Sequence, residues 1–204
     1  MAYPTIDAPY GFRPVNLLGG QVFSGSTRQM AIASAHATNI FFGDIVIMSS
    51  NGCINNATLT DSAVQVAGIF MGCSYINSSN QRVFGQYYPA TITQAVDTTN
   101  GTIAYVADDP DLVMKVAIVS GTTTISGNIR SGLVGGTAAW VANAGSTITG
   151  DSKQAILSTT GTATTLPLKV IDVVPDTTNS SGSFTEVLVT WTGLVHMYRG
   201  AAGI

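Results

Sequence analysis

Short runs of β-branched and aromatic residues recur along the chain, and polar segments that contain glycine separate them. Such residues suit pleated, half-buried strands. Only the stretch 27–41 could pass for a long helix, and it contains several serines. The runs that we predict to be strands are 44–48, 63–76, 82–88, 102–107, 112–119, 166–174 and 184–191.

Alternation within two of these runs predicts which side chains share a face, because residues two apart point to the same side of a strand. In the run 112–119, one face carries Leu112, Met114, Val116 and Ile118. In the last run, one face carries Val187, Val189 and Trp191, and the opposite face carries Glu186 and Thr190.

Turn signals lie between the runs. The dipeptides Asn51-Gly52 and Asn100-Gly101 favour tight turns, and further glycines punctuate the later half. Many short strands with regular turns indicate an all-β fold, an antiparallel sandwich or barrel of jelly-roll-like type. We assign residues 21–204 to this domain, with a variable segment rich in glycine and threonine near 121–165 that is either a mobile outer loop region or a small subdomain.

The first residues form a segment of different character, "APYGFRPVNLLGG" at 8–20. Its prolines favour extended backbone and its glycines break regular elements. We therefore predict an extended N-terminal arm over residues 1–20 that docks on another chain as an added strand. The alternative is that the segment folds back on its own domain as an edge strand. The expected anchors are Tyr10, Phe12, Leu17 and Leu18, with Arg13 as a partner for a carboxylate.

Charge is scarce. Charged residues make up 9% of the chain, against about 25% in ordinary domains, and the net charge is −3. A surface with so few ions resists association poorly, which favours a subunit that is covered by other protein in use. The alternative is an extracellular or viral β-protein that is merely rich in serine and threonine. No basic stripe is present for nucleic acid, and no apolar run approaches the ~18 residues of a membrane helix.

Residues for catalysis or metal binding are few. His36 and His196 are the only histidines, and no motif marks a nucleophile beside either, so we expect both to be structural. The acidic run "DDPD" at 108–111 could hold calcium, but an Asx or proline turn is the simpler interpretation. Cys53 and Cys73 are expected to be buried thiols, with a disulfide as the alternative. We expect no enzyme activity, no cofactor and no metal.

Several stretches resemble proteins of tailed bacteriophages that accompany the major capsid protein. They are "APYGFRPVNLLGG", "SGSTRQMAIASAHATNIFFGDIV", "VAGIFMGCSY", "LPLKVIDVV" and "HMYRGAAGI", which together span most of the chain outside 121–165. The resemblance implies a capsid cement or decoration protein. Such a protein sits as a homotrimer on the outer surface of the virion head and clamps neighbouring subunits of the major capsid protein after expansion. It also implies charge-assisted contacts with acidic shell loops, for which the candidates are Arg13, Arg28 and Arg82.

Three other functions stay open. A carbohydrate-binding β-module or phage adhesin would stack sugar rings on Trp140, Tyr87 and Tyr88. A hydrolase on a β scaffold would need an exposed His196 bonded to both a carboxylate and a hydroxyl. The major shell protein itself fits poorly, because the chain is short and no long helix is predicted.

Overall fold

Regular structure in the described part of the chain is almost entirely β-strand. A computed structural model describes residues 9–33, 36–57, 65–90, 92, 102–120, 123–124, 130–158, 166–177, 184–193 and 195–200. Within these residues the only helix is the 3-10 turn Pro175–Thr177, and none has the length and hydropathy to span a bilayer. The strands are β1 Arg13–Leu17, β2 Arg28–Ala31, β3 Ile45–Met48, β4 Ile54–Asn56, β5 Val66–Ile76, β6 Arg82–Gly85, β7 Ile103–Ala107, β8 Leu112–Ser120, β9 Thr123–Thr124, β10 Thr137–Ala138, β11 Trp140–Val141, β12 Ala155–Leu157, β13 Leu168–Val173 and β14 Glu186–Trp191.

The strands form two sheets. The eight-stranded sheet runs β10-β13-β14-β8-β12-β11, and β1 and β9 also pair with β8. The six-stranded sheet runs β2-β7-β5-β3-β4, with β6 paired to β5. Among the described strands, every pair is antiparallel except β12 with β8, which is parallel. The predicted all-β class is confirmed. The β12–β8 pair departs from the antiparallel pattern, and so do three isolated parallel bridges, among them Ile32 with Ile54.

The main core lies between the two sheets. Leu112, Met114, Val116 and Ile118 of β8 pack with Val187, Val189 and Trp191 of β14, as the alternation predicts. The six-stranded sheet contributes Ile45, Val66 and Ile69 to the same cluster. Each of these aliphatic side chains is fully buried, and full burial of one such side chain stabilises a fold by about 1.5–3 kcal/mol.

A second core covers the other face of the six-stranded sheet. Ala67, Phe70 and Cys73 of β5 pack there with Tyr88 and Ile40. Because both faces of β5 are buried, its sequence is a nearly continuous apolar run. At Gly68 (φ +151°), a Cβ atom would lie 2.2 Å from the carbonyl oxygen of Ala107, so β5 and β7 approach closely only because this residue is glycine.

The N-terminal segment folds back on its own chain, which corrects the predicted docking arm. β1 pairs antiparallel with β8, from Arg13 opposite Lys115 to Leu17 opposite Leu112. Phe12 is fully buried in the main core and Tyr10 is 9% exposed. The edge of β8 satisfies the backbone groups that an extended segment leaves unpaired, and the aromatic rings gain burial without a partner. The alternative of an edge strand is therefore correct for residues 13–17, and residues 1–8 lie outside the described residues.

Two other stretches differ from the simplest interpretation of their sequence. The helix-like stretch contains the strand β2, which pairs with β7. In the glycine- and threonine-rich stretch, the described residues 130–158 carry Trp140 and Ile156, which belong to the main core. This part of the stretch is therefore built into the eight-stranded sheet.

Both cysteines are free thiols. Cys73 is buried in the second core, and burial raises the pKa of its thiol to about 12. Cys53 is only half-buried. The prediction of buried thiols is confirmed for Cys73 alone.

Candidate interaction surface

The chain turns back immediately after β1 and forms a short hairpin. The amide of Leu17 donates to the carbonyl of Gln21 at 2.8 Å, and the amide of Phe23 donates to Val15 at 3.2 Å. Gly20 adopts a φ of +80°, which a glycine accepts without strain. We call residues 13–23 the N-terminal hairpin. Its tip carries apolar side chains at Leu18 and Val22, which are 49% and 75% exposed.

The acidic residues 108–111 form the turn between β7 and β8, beside the hairpin. The amide of Asp111 donates to Asp109 Oδ1 at 2.8 Å, which makes this an Asx turn as predicted. The amide of Leu18 donates to the carbonyl of Asp111 at 2.8 Å and so ties the hairpin to the acidic turn.

Two arginines compensate two of the three carboxylates of the acidic turn, Asp108 and Asp111. Arg28 Nε lies 2.5 Å from Asp108 Oδ2, and Arg199 lies 2.5 Å from Asp111 Oδ1. The hydroxyl of Tyr198 also donates to Asp108, at 2.8 Å. No cluster of three His, Cys, Asp or Glu side chains among the described residues could hold a metal ion.

A pocket of about 390 Å³ opens between the hairpin and the acidic turn. We call it the hairpin pocket. Its walls combine apolar side chains with the Arg28–Asp108 pair, a mixture that is typical of protein contact surfaces. It is lined by Leu17, Gln21, Val22, Phe23, Ser24, Ser26, Arg28, Asp108, Asp109, Pro110 and Tyr198.

The structure brings three of the predicted contact residues together at this pocket: Leu17, Leu18 and Arg28. Leu17 and Arg28 line the pocket, and Leu18 stands exposed beside it. Tyr10 and Phe12 do not belong to the surface, because both are buried in this chain.

The other two predicted arginines lie elsewhere. Arg13 binds Asp151 Oδ1 at 2.6 Å, and its guanidinium lies 4.3 Å from the ring centroid of Phe42, so it ties the chain to itself. Arg82 is exposed on β6, where it donates to Ser74 Oγ at 3.2 Å.

A buried polar network, which the sequence did not reveal, lies beneath residues 10–13. The Tyr10 hydroxyl donates to Glu186 Oε1, and Lys115 Nζ lies 3.2 Å from the same oxygen. Burial, and then the neighbouring Glu186, raise the pKa of Tyr10 far above its usual value. The network fastens residues 9–12 to the outer face of β8 and β14. The chain's one glutamate is therefore structural.

His196 cannot be a triad histidine. Its ring is fully buried between Trp191 and Tyr198, with centroids 6.1 and 5.3 Å away. Nδ1 accepts from the amide of Tyr198 at 3.4 Å, and Nε2 has no hydrogen-bond partner among the described residues. His36 contacts Asn56 Oδ1 at 3.0 Å and Thr38 Oγ1 at 2.8 Å, which is the structural role expected of it.

The rings proposed for stacking on sugars are not available. Trp140 is 3% exposed and Tyr88 is fully buried. Tyr87 stacks on Phe41 with centroids 5.5 Å apart. A sugar site built on these three residues is therefore wrong.

Two buried ionisable groups predict opposing pH dependences. Burial lowers the pKa of His196 to about 4. The contribution of the neutral ring to the free energy of unfolding is therefore present above pH 6.5 and lost as the pH falls toward 4. Burial raises the pKa of Asp44 to about 6. The contribution of the protonated carboxyl to the free energy of unfolding is therefore present below pH 3.8 and lost as the pH rises toward 6. Each shift corresponds to about 3 kcal/mol over its window.

We expect Asp44→Asn to give a stability that rises steeply from pH 4 to 6, because the effect of His196 is then unopposed. We expect His196→Asn to give a stability that falls over the same range. Urea unfolding of both variants and the wild type at several pH values measures this. Parallel curves for the two variants would contradict it.

The sequence signals for the remaining pocket residues were weak. Val22 and Phe23 follow the pair Gly19-Gly20, and that pair is a turn signal that could have placed them on a return strand. Tyr198 carries no local signal, because the acidic turn that it contacts lies 90 residues away along the chain.

Comparison of the chain with family models, with curated proteins and with solved structures gives no match.

Proposed function

We propose that the chain is a non-enzymatic structural protein of a tailed-bacteriophage head. In this role it is a cement or decoration protein that binds the outer surface of the capsid as a homotrimer. It clamps neighbouring subunits of the major capsid protein and needs no cofactor. The proposal rests on the sequence resemblance together with the character of the protein's surface.

The observation that carries the proposal is the apolar surface around the hairpin pocket. Leu18, Val22 and Tyr198 are each about half exposed or more, and they surround a pocket beside the Arg28–Asp108 pair. Exposed apolar groups gathered at one place, with polar groups at the rim, are typical of surfaces that other protein covers.

The distribution of charge supports the same function. Of the eight lysines and arginines in the chain, five form ion pairs within it: Arg13, Arg28, Lys115, Arg130 and Arg199. Because these five cations are paired within the chain, only three basic side chains are left to repel or solvate a neighbouring subunit. A surface of this kind suits permanent assembly.

The mechanism that follows is mechanical. A head filled with DNA is under internal pressure, and the seams between capsid subunits are its weak points. A stable protein contact buries ~1,600 Å², and a trimer that holds several shell subunits makes several contacts at once. Because all of these contacts must break together, the clamp holds even where one contact alone is weak.

The proposal is tested by mixing the purified protein with heads of the encoding phage that were assembled without it. We expect sedimentation of the protein with expanded heads and not with unexpanded precursors. Val22→Asp should weaken this binding at least about tenfold, since it places a charge in the apolar surface. Ile148→Asp is the matched control, because Ile148 is 96% exposed and lies on a different loop.

Wild-type protein that stays in the supernatant with both kinds of head would overturn the proposed function. Equal binding by Val22→Asp and the wild type would show that the hairpin surface takes no part in head binding, either as a contact with the shell or as a contact between copies of the trimer. Deletion of residues 2–18 is not a clean test, because it would remove β1 and the buried Phe12 along with the exposed side chains.

A further inference from the structure

A second surface lies on β6, at the side of the six-stranded sheet. Among the described residues, β6 pairs with β5 alone. Arg82 and Phe84 are two residues apart and therefore point to the same side of the strand. Both are exposed, and Phe84 is 70% exposed. We call the side of β6 that carries Arg82 and Phe84 the β6 face.

The β6 face and the hairpin pocket have complementary unpaired charges. Four of the five arginines bind a carboxylate in the chain. Arg82 pairs with no carboxylate in the described part of the chain, where its side chain contacts Ser74 Oγ. In the hairpin pocket, Asp108 is paired with Arg28, whereas Asp109 forms no ion pair with a described residue. One surface thus carries an uncompensated cation, and the other carries an uncompensated anion.

The apolar parts of the two surfaces also match. The hairpin pocket is walled by Leu17, Val22, Phe23 and the ring of Tyr198. Its volume of about 390 Å³ is ample for a single benzyl side chain. Phe84 is the most exposed aromatic side chain among the described residues. An aromatic anchor that enters a pocket beside an ion pair is the usual composition of the centre of a protein interface.

The two surfaces cannot meet within one chain. Arg82 lies opposite Ile76 on β5, whereas Ala107, which leads into the acidic turn, lies opposite Ile69. Ile76 and Ile69 are seven residues apart on the same strand, which is about 23 Å at ~3.3 Å per residue. The β6 face and the hairpin pocket therefore lie toward opposite ends of the six-stranded sheet, where only a second molecule can join them.

We propose that the β6 face of one copy binds in the hairpin pocket of the next copy. Phe84 enters between Leu17, Val22 and Tyr198, and Arg82 pairs with Asp109. The contact is head-to-tail, so each copy offers one surface and receives the other. Such contacts close into a ring when the rotation between copies closes, as the proposed trimer requires, and otherwise continue as a filament. This inference rests on the proposed function, for which it names the occupant of the hairpin pocket as a neighbouring copy of the same chain.

The test is an exchange of charges, read out by sedimentation equilibrium. We expect the wild type to self-associate, and Arg82→Asp and Asp109→Arg each to raise the dissociation constant at least about tenfold. The double variant carries both changes, so it restores an opposite-charge pair in every contact and should recover association to within a few-fold of the wild type. Lys169→Glu is the control for net charge, because Lys169 is exposed on β13 and should not affect association.

Phe84→Ser tests the apolar half of the contact independently. This variant should lose association. Since Phe84 is exposed, it should keep the thermal midpoint that the wild type shows at a concentration low enough to dissociate it. It still tests the contact between copies if Asp109→Arg disturbs the acidic turn, because Phe84 lies on β6. A monomeric wild type at high micromolar concentration would overturn the proposal, and so would a double variant that associates no better than either single variant.

Binding to phage heads separates this inference from the proposed function. A protein that assembles through Arg82 and Asp109 but ignores heads would keep the inference and overturn the capsid role. A protein that binds heads while the charge exchange and Phe84→Ser leave its association unchanged would keep the capsid role and overturn the inference.

Discussion

Phe12→Ala is expected to lower the free energy of unfolding by about 3–5 kcal/mol, the usual cost of removing a fully buried phenyl ring. Phe12 is 0% exposed and packs in the main core between the two sheets. Its amide donates to the carbonyl of Gly43 at 2.9 Å, so the surrounding backbone is held and cannot readily close the cavity. Urea unfolding followed by tryptophan fluorescence measures the loss.

Leu18→Ala is the matched control for Phe12→Ala. Leu18 belongs to the same N-terminal stretch but is 49% exposed, so its truncation should change stability by no more than about 0.5 kcal/mol. Equal unfolding midpoints for Phe12→Ala and the wild type would mean that the ring is not in the core, and the model of a docking arm would return.

Glu186→Ala is the second change with a large expected effect, a loss of about 3–5 kcal/mol. The Glu186 side chain is 5% exposed, accepts the Tyr10 hydroxyl and lies 3.2 Å from Lys115 Nζ. Its removal leaves a cavity, a buried hydroxyl without an acceptor and an ammonium without its carboxylate. The same urea titration measures the effect.

Two variants identify the source of this loss. Glu186→Gln keeps the shape and one acceptor oxygen, so it should retain part of the stability that alanine loses. Asp172→Asn changes an exposed carboxylate that pairs with Arg130 and should leave the midpoint unchanged, since exposed ion pairs contribute little. If Glu186→Ala lowered the free energy of unfolding as little as Asp172→Asn does, the buried network would not stabilise the fold.

Local pattern was sufficient to predict the class of the fold and the inner face of its central strands. Leu112 and Met114 of β8, and Val187 and Val189 of β14, lie in the main core as their alternation predicts. The same alternation places Glu186 on the opposite face, where a polar side chain would ordinarily meet water. That face is covered by Tyr10, which lies 176 residues away in sequence, and no local pattern can signal such a contact.

The N-terminal stretch shows why the predicted site was only partly right. Proline and glycine correctly indicated extended backbone, and Arg13–Leu17 is a strand. Extended backbone needs a partner, but its sequence does not say whether that partner is in the same chain. The partner is β8, and Tyr10 and Phe12 are buried in consequence. Long-range contacts place three of the predicted residues, Leu17, Leu18 and Arg28, at the acidic turn. One such contact joins Arg28 to Asp108, which lies 80 residues away along the chain.

The position of β8 at the centre of the larger sheet has a consequence for biosynthesis. β8 pairs with β1, which leaves the ribosome about a hundred residues before it, and with β14, which follows some seventy residues later. Distant pairings of this kind form slowly, and until they form the strand exposes unpaired edges and apolar side chains. A nascent chain that is released before residue 191 lacks part or all of β14, so one edge of β8 stays unpaired. Such truncated products should be especially prone to aggregate in the cell.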